Sequence, residues 1–169
     1  MAHCSWAMLE LICIMQNQMI RVTKEFTFDM AHALFNYDGP CKNIHGHTYR
    51  LQVTVSGYAN QDPQNVKCGM LIDFGQLKRI VTEKIIDKYD HALVLNEAVL
   101  ASLKASCYAI SEKVHLVAFQ PTCENLLLDM KFKLQIALEK DGFILQSIRL
   151  YETPTSWAEW CKEDQPKAF

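Results

Sequence analysis

The feature that most constrains the fold is a pair of segments in which apolar and polar residues alternate. Between Ile20 and Met30 the even positions are apolar, except at Lys24, and the odd positions are polar. The alternation returns between His47 and Val55. A period of two is typical of a strand with one buried face. Because only a short loop separates the two segments, they predict neighbouring antiparallel strands.

Three histidines fall where these two predicted strands meet. His32 continues the apolar parity of the first strand, and taken alone it is better explained as a hydrogen-bonded core residue. His45 and His47 open the second strand on one side, because side chains two residues apart face the same way. Antiparallel pairing then brings all three imidazoles together. Three histidines with an open fourth position are typical of catalytic zinc sites.

A cysteine lies four residues before the histidine pair, after a turn predicted at residues 36–40. Cys41 has two possible roles at this point. It either supplies a fourth ligand and closes the metal site, or acts as a base or nucleophile beside an open site. Asp90 and His91, just past a predicted helix, are candidate proton-relaying partners for the second role.

Helical spacing recurs in the second half of the chain. Asp73 is a predicted N-cap for a helix whose apolar residues run through 77–89. A second amphipathic helix is predicted at 126–138. Residues 97–108 are also compatible with a helix.

The remaining strands complete an α+β domain. A final strand at 144–152 keeps Glu152 on its inward side, and residues 114–119 are compatible with a short strand. The sequence predicts an antiparallel four-stranded sheet with two main helices on one face, in a single domain over 19–169. Residues 1–18 are expected to be a poorly ordered N-terminal extension. The open sheet edges favour subunit assembly.

Charge and cysteine content exclude several classes of function. With 17 basic and 19 acidic residues the formal charge is −2, so no nucleic-acid or membrane-binding patch is expected. Seven irregularly spaced cysteines argue against a disulfide framework and indicate a reducing, cytoplasmic location. The apolar stretch 6–15 contains Glu10 and lacks a preceding basic residue, so it does not resemble a signal peptide. A small-molecule partner is favoured.

Six ordered motifs between residues 20 and 153 resemble the signatures of the 6-pyruvoyl-tetrahydropterin synthase family. They are Phe28-Asp29-Met30-Ala31-His32, Cys41-Lys42-Asn43-Ile44-His45-Gly46-His47, Gly69-Met70-Leu71-Ile72-Asp73-Phe74, Asp90-His91, Pro121-Thr122-Cys123-Glu124-Asn125 and Glu152-Thr153. The resemblance implies a tunnelling-fold subunit that assembles into a β-barrel oligomer. A homohexamer of two trimers, with active sites between subunits, is the expected assembly.

The resemblance also implies a role for each candidate site residue. Zn²⁺ would be held by His32, His45 and His47. The general base would be Cys41, tuned by Asp90 and His91. The pterin would be bound by Glu152, whose carboxylate can accept two parallel hydrogen bonds from the guanidine-like edge of that ring. Further substrate contacts are expected from Thr122 and Glu124.

Similar enzymes take 7,8-dihydroneopterin triphosphate and need no redox cofactor. The three-residue gap between Cys41 and His45 is similar to that of the 6-carboxy-tetrahydropterin synthases of queuosine biosynthesis, which release triphosphate and acetaldehyde. The biopterin branch usually has a longer gap. A zinc-dependent lyase of the queuosine branch is therefore the expected function.

Two alternatives stay open at this level. One is a biopterin-type synthase, which eliminates triphosphate to give 6-pyruvoyl-tetrahydropterin. The other is a zinc- or pterin-binding module without turnover, in which Cys41 is the fourth ligand. Candidate triphosphate-binding groups are Lys24, Lys42 and Arg50, and residues 156–160 are expected to form a subunit or core contact.

Overall fold

The computed structural model describes residues 18–99 and 101–166, without the side chains of 101–104. The predicted extension at 1–18 lies outside the described residues, apart from its last position. The strands are β1 (Ile20–Ala33), β2 (His45–Gly57), β3 (Ala92–Asn96), β4 (Val114–Val117), β5 (Ile144–Thr153) and β6 (Ser156–Cys161). The helices are α1 (Phe74–Val81), which continues through a π turn (Thr82–Ile86) and a last α turn (Asp87–Tyr89), α2 (Ala101–Ile110) and α3 (Cys123–Lys140).

The strands form one six-stranded sheet in the order β4-β3-β1-β2-β5-β6. The α+β class is confirmed, but the predicted four-stranded antiparallel sheet is wrong. Strands β1, β2, β5 and β6 pair antiparallel, whereas β3 pairs parallel to both β1 and β4. The connections into β3 and β4 contain helices, which is how parallel neighbours are joined.

Strand β3 was missed because it lacks the alternation that identifies a half-buried strand. Its side chains pack on both faces of the sheet: Val94 belongs to the main core, and Leu93 and Leu95 to a second cluster. A strand buried on both faces is a continuous apolar run with no period of two. Strand β6 was interpreted as a contact segment. Trp160 does pack against the main core, whereas Trp157 is half exposed beside Tyr151.

Helices α1 and α3 cover one face of the sheet, as predicted, and enclose the main core. A side-chain cap begins each helix, and the one at Asp73 was predicted. The Asp73 carboxylate accepts hydrogen bonds from the backbone N–H groups of Gly75 and Gln76, and the Thr122 hydroxyl accepts one from Asn125. The opposite face is partly covered by α2, where Cys107 joins the second cluster.

Within the described part of the chain, no helix combines the length and the apolar character needed to cross a membrane. The cysteines at positions 41, 68, 107, 123 and 161 are free thiols.

One titratable group of β4, His115, predicts a pH-dependent stability. The His115 ring lies edge-on to Tyr89 at 5.3 Å, and its Nε2 is buried without a hydrogen-bond partner among the described residues. Burial, assisted by the charges of Lys88 and Lys133, lowers the pKa of His115 to about 4. As the pH falls, His115 is therefore protonated at a higher pH in the unfolded chain than in the folded one. The contribution that neutral His115 makes to the free energy of unfolding is complete above the ordinary pKa of 6.5 and is lost progressively towards pH 4.

We expect acidification from pH 7 to 4.5 to reduce the free energy of unfolding less in His115→Gln than in the unmodified protein. Because His115 is only partly buried, solvent screening limits the difference to on the order of 1 kcal/mol. Urea unfolding at the two pH values measures it. Equal losses in both proteins would show that His115 does not contribute to this dependence.

Candidate metal centre and active site

Strand pairing positions the three histidines. In the β1–β2 register His32 lies opposite His45, and Met30 lies opposite His47, so all three imidazoles are on the face covered by α1 and α3. The ring centroids of His32 and His45 are 4.5 Å apart, and those of His45 and His47 are 5.0 Å apart. One ring nitrogen of each histidine lies within 4.8 Å of the other two. The predicted convergence of the histidines is confirmed.

Backbone carbonyls fix the orientation of two of these rings. His32 Nδ1 donates to the Pro121 carbonyl at 2.7 Å, and His45 Nδ1 donates to the Asn43 carbonyl at 2.8 Å. Because Nδ1 carries the proton in these bonds, the Nε2 atom of each ring keeps a free lone pair. The Nε2 atoms of His32 and His47 are buried and have no hydrogen-bond partner among the described residues. Unpaired buried nitrogens with oriented lone pairs are what a metal ion requires, so the three residues fit one.

The protonation state of His32 also suits a metal ligand. Burial is the main cause that lowers its pKa, and it outweighs the opposing hydrogen bond to Pro121. The positive charges that His45 and His47 would carry lower it further, more than Glu152 raises it. His32 is therefore neutral near pH 7, which is the form that binds metals.

Glu152 lies beside the histidine cluster. Its Oε1 is 3.6 Å from His32 Nε2 and 4.0 Å from His47 Nε2. It belongs to β5, whose Leu150 pairs with Leu51 of β2, and Glu152 keeps the inward side predicted for it. The Tyr49 hydroxyl donates to the same oxygen at 3.3 Å. Burial, and then the Glu152 carboxylate, raise the pKa of Tyr49, which therefore remains a donor.

Cys41 lies in a short 3-10 turn, Pro40–Lys42, between the two central strands. Its side chain is half-buried, and its carbonyl accepts the Leu34 N–H at 2.9 Å. The charge of its thiolate form is among the causes that raise the pKa of Tyr49, so the thiol and the phenol share one neighbourhood. The predicted place of this thiol beside the histidine cluster stays a prediction.

Asp90 and His91 lie on the opposite face of the sheet. His91 has a φ of +58°, which histidine tolerates better than most residues, and its N–H donates to the Asp29 carbonyl. The Asp90 carboxylate accepts the Asp29 N–H at 3.0 Å and contacts His91 Nδ1 at 2.9 Å. Burial acts to raise the pKa of Asp90, but these partners and Lys113 outweigh it and lower the pKa.

The His91 side chain is 77% exposed and lines a cleft of about 590 Å³ together with Asp29, Ala31 and Thr48. Asp29, Ala31 and Thr48 have the parity opposite to that of the histidines, although His47 also lines this cleft. Within the described chain, no hydrogen bond or ion pair joins Cys41 to Asp90 or His91. The predicted proton relay therefore stays a prediction.

The two residues predicted from the Pro-Thr-Cys-Glu-Asn motif lie at the start of α3. The Thr122 hydroxyl is engaged as the helix cap, and Glu124 is exposed. Two contributors to the site were missed. Gln120 exchanges side-chain hydrogen bonds with the backbone of Phe35, which ties the start of α3 to the Cys41 loop. Tyr49 could have been found from its inward parity, whereas Gln120 gives no local signal.

Three imidazoles that could hold a metal ion, with a carboxylate beside them, are typical of the active site of a metal-dependent enzyme. Comparison with known proteins gives the particular family. The chain belongs to the 6-pyruvoyl tetrahydropterin synthase family, whose model matches residues 21–163.

Relatives and solved structures agree with this assignment. The 6-carboxy-5,6,7,8-tetrahydropterin synthase of Haemophilus influenzae is 39% identical over 147 residues, which are 84% of this chain and 99% of that protein. The enzyme of the same name from Rickettsia bellii is 30% identical over 142 residues, covering 83% and 99% of the two chains. The 6-pyruvoyl tetrahydropterin synthase of Caenorhabditis elegans, 23% identical, superposes with a TM-score of 0.61 over 85% of this chain and 96% of that one. At that identity the superposition supports the fold.

Proposed function

We propose that this chain is a zinc-dependent 6-carboxy-5,6,7,8-tetrahydropterin synthase. It acts as a lyase on 7,8-dihydroneopterin triphosphate and releases triphosphate and acetaldehyde, as a cytoplasmic step of queuosine biosynthesis. The relatives with the highest similarity reported above carry the name of this activity. The observation that carries the proposal is the group of three histidines with free ring nitrogens directly beside the Glu152 carboxylate.

Zinc is the metal that best suits this donor set. Three neutral imidazoles are the ligands of many catalytic zinc sites, in which the fourth position is open to substrate. When bound, zinc polarises oxygens of the substrate side chain and stabilises negative charge that develops on them. The carbonyls of Pro121 and Asn43 orient His32 and His45 for this role.

Glu152 anchors the pterin ring. Its carboxylate can accept two parallel N–H donors from the guanidine-like edge of the ring, as carboxylates do from arginine. Glu152 lines a cleft of about 540 Å³ together with His47 and Arg50. The cleft is large enough for a pterin, and Arg50, which has the parity of Thr48 rather than that of the histidines, contributes a cation to it for the triphosphate. Lys24 is a weaker candidate, because its ammonium lies over the rings of Phe26 and Phe74.

The Cys41 thiolate moves a proton at the side-chain carbon next to the pterin ring. Asp90 and His91 relay that proton. Since these two residues lie on the opposite face of their own subunit, we assign them to the active site of a neighbouring subunit. The assembly is then a homohexamer with active sites at its interfaces. Thr122 and Glu124 complete the proposed substrate contacts from the start of α3.

Asp90→Asn is expected to reduce kcat by on the order of 10²-fold, at the low end of general acid–base catalysis. The amide keeps the oxygen that accepts the Asp29 N–H but cannot hold a protonated His91 by charge. Zinc content should remain that of the unmodified protein. Steady-state kinetics and metal analysis of the same preparation provide the check, and an unchanged kcat would remove Asp90 from the relay.

Product analysis tests the proposed function. The zinc-loaded protein is incubated with 7,8-dihydroneopterin triphosphate, and pterins, triphosphate and acetaldehyde are quantified. We expect 6-carboxy-5,6,7,8-tetrahydropterin and one acetaldehyde for each triphosphate released. A 6-pyruvoyl product without acetaldehyde would instead assign the chain to the biopterin branch. Full zinc loading without any turnover would favour a binding module.

A further inference from the structure

The Tyr49 side chain is buried and has ring contacts on several sides. It is 0% exposed, its ring is stacked on Phe28 at 5.4 Å, and it lies edge-on to His47 at 5.6 Å and to His32 at 6.2 Å. These contacts on several sides fix the direction of its hydroxyl. The hydroxyl donates to Glu152 Oε1 at 3.3 Å.

The Glu152 oxygen that accepts this hydrogen bond also lies close to the predicted metal ligands. Glu152 Oε1 is 3.6 Å from His32 Nε2 and 4.0 Å from His47 Nε2. Ligand atoms about 2.0–2.2 Å from one tetrahedral zinc ion lie at similar distances from one another, and carboxylate oxygens are good zinc ligands. Oε1, the oxygen to which the Tyr49 hydroxyl donates, is therefore also within reach of a metal ion that the histidines would hold.

We propose that Tyr49 is a positioning residue that holds the Glu152 carboxylate in its pterin-binding orientation. The hydroxyl occupies a lone pair of Oε1 and fixes the plane of the carboxylate, so that its outer edge stays available to the ring. This inference rests on the proposed function, because it takes Glu152 as the pterin anchor. Tyr49 itself need not touch the substrate.

The test is the affinity of metal-free protein for 7,8-dihydroneopterin, measured by fluorescence titration. Tyr49→Phe removes one hydroxyl and keeps the ring that packs on Phe28. A hydrogen bond to a charged group corresponds to about a tenfold effect, so the Kd for the pterin should rise about tenfold. In a Glu152→Gln background the same substitution should change the Kd by less than about twofold, since the two groups act together.

Tyr89→Phe is the matched control. Tyr89 is also 0% exposed and donates its hydroxyl to a carboxylate, that of Asp129, away from the histidine cluster. Thermal unfolding should show a loss of stability similar to that of Tyr49→Phe. The affinity of this variant for the pterin should not fall. Equal weakening in both variants would mean that the effect is a general loss of packing, which would overturn the proposal.

Two further results separate this inference from the proposed function. If the unmodified protein binds the pterin and Tyr49→Phe binds it equally well, the positioning role is wrong and the proposed function stands. If the unmodified protein does not bind the pterin, the proposed function itself fails. Zinc affinity of Tyr49→Phe should be equal to or higher than that of the unmodified protein, and a loss of zinc would contradict the role assigned to Tyr49.

Discussion

His45→Ala will leave a folded protein that no longer retains zinc through dialysis. His45 contributes one of three nitrogens that lie within 4.8 Å of one another, so its loss removes one of the three imidazole ligands that the cluster offers. Loss of an outer-shell partner alone costs roughly 10–100-fold in metal affinity, so loss of a ligand should cost more. Zinc per chain, measured against a competing chelator, gives the result, and turnover should fall with the metal.

His115→Gln is the control for this experiment. It removes a histidine of β4 whose ring packs against Tyr89, outside the histidine cluster, so zinc content should be unchanged. Full zinc loading of His45→Ala would contradict the three-histidine site, whatever the activity of that variant.

Cys41→Ala should differ from His45→Ala in its metal content: zinc should be retained while turnover is lost. A residue that transfers a proton in the transition state contributes about 10²–10⁴-fold, so kcat should fall by that factor. Metal content is expected to stay near that of the unmodified protein, because the three histidines remain. Single-turnover kinetics with parallel metal analysis measure both quantities on one sample.

Cys123→Ala is the appropriate comparison. Its thiol is also half-buried near Glu152, but it donates to the Leu150 carbonyl, and burial raises its pKa to about 11. A thiol that remains protonated is a poor base, so we expect little change in kcat. If Cys41→Ala loses zinc, Cys41 is a fourth ligand and the site is closed. If Cys123→Ala loses turnover instead, the base has been assigned to the wrong thiol.

The convergence of the histidines was predictable because parity and pairing are local properties. Once two alternating segments are joined by a short loop, His32 must meet His45 on one face. Glu152 followed from the same parity rule in β5. The caps of α1 and α3 were predictable from the position of Asp73 and Thr122 before helical spacing.

Other features depend on long-range contacts that no local sequence pattern indicates. Strand β3 packs on both faces, and its parallel pairing with β1 follows from chain connectivity rather than from alternation. The orientation of His32 depends on a carbonyl 89 residues away in the chain, that of Pro121. The link between Cys41 and the Asp90–His91 pair could not be judged from the sequence, because spacing does not specify which side of the sheet a turn reaches.

X-ray absorption spectroscopy at the zinc edge of the loaded protein tests the central claim most directly. An open site held by His32, His45 and His47 predicts only nitrogen and oxygen neighbours, at about 2.0–2.1 Å from the metal. A sulfur neighbour at about 2.3 Å would contradict it, because Cys41 would then be a ligand and could not serve as the base.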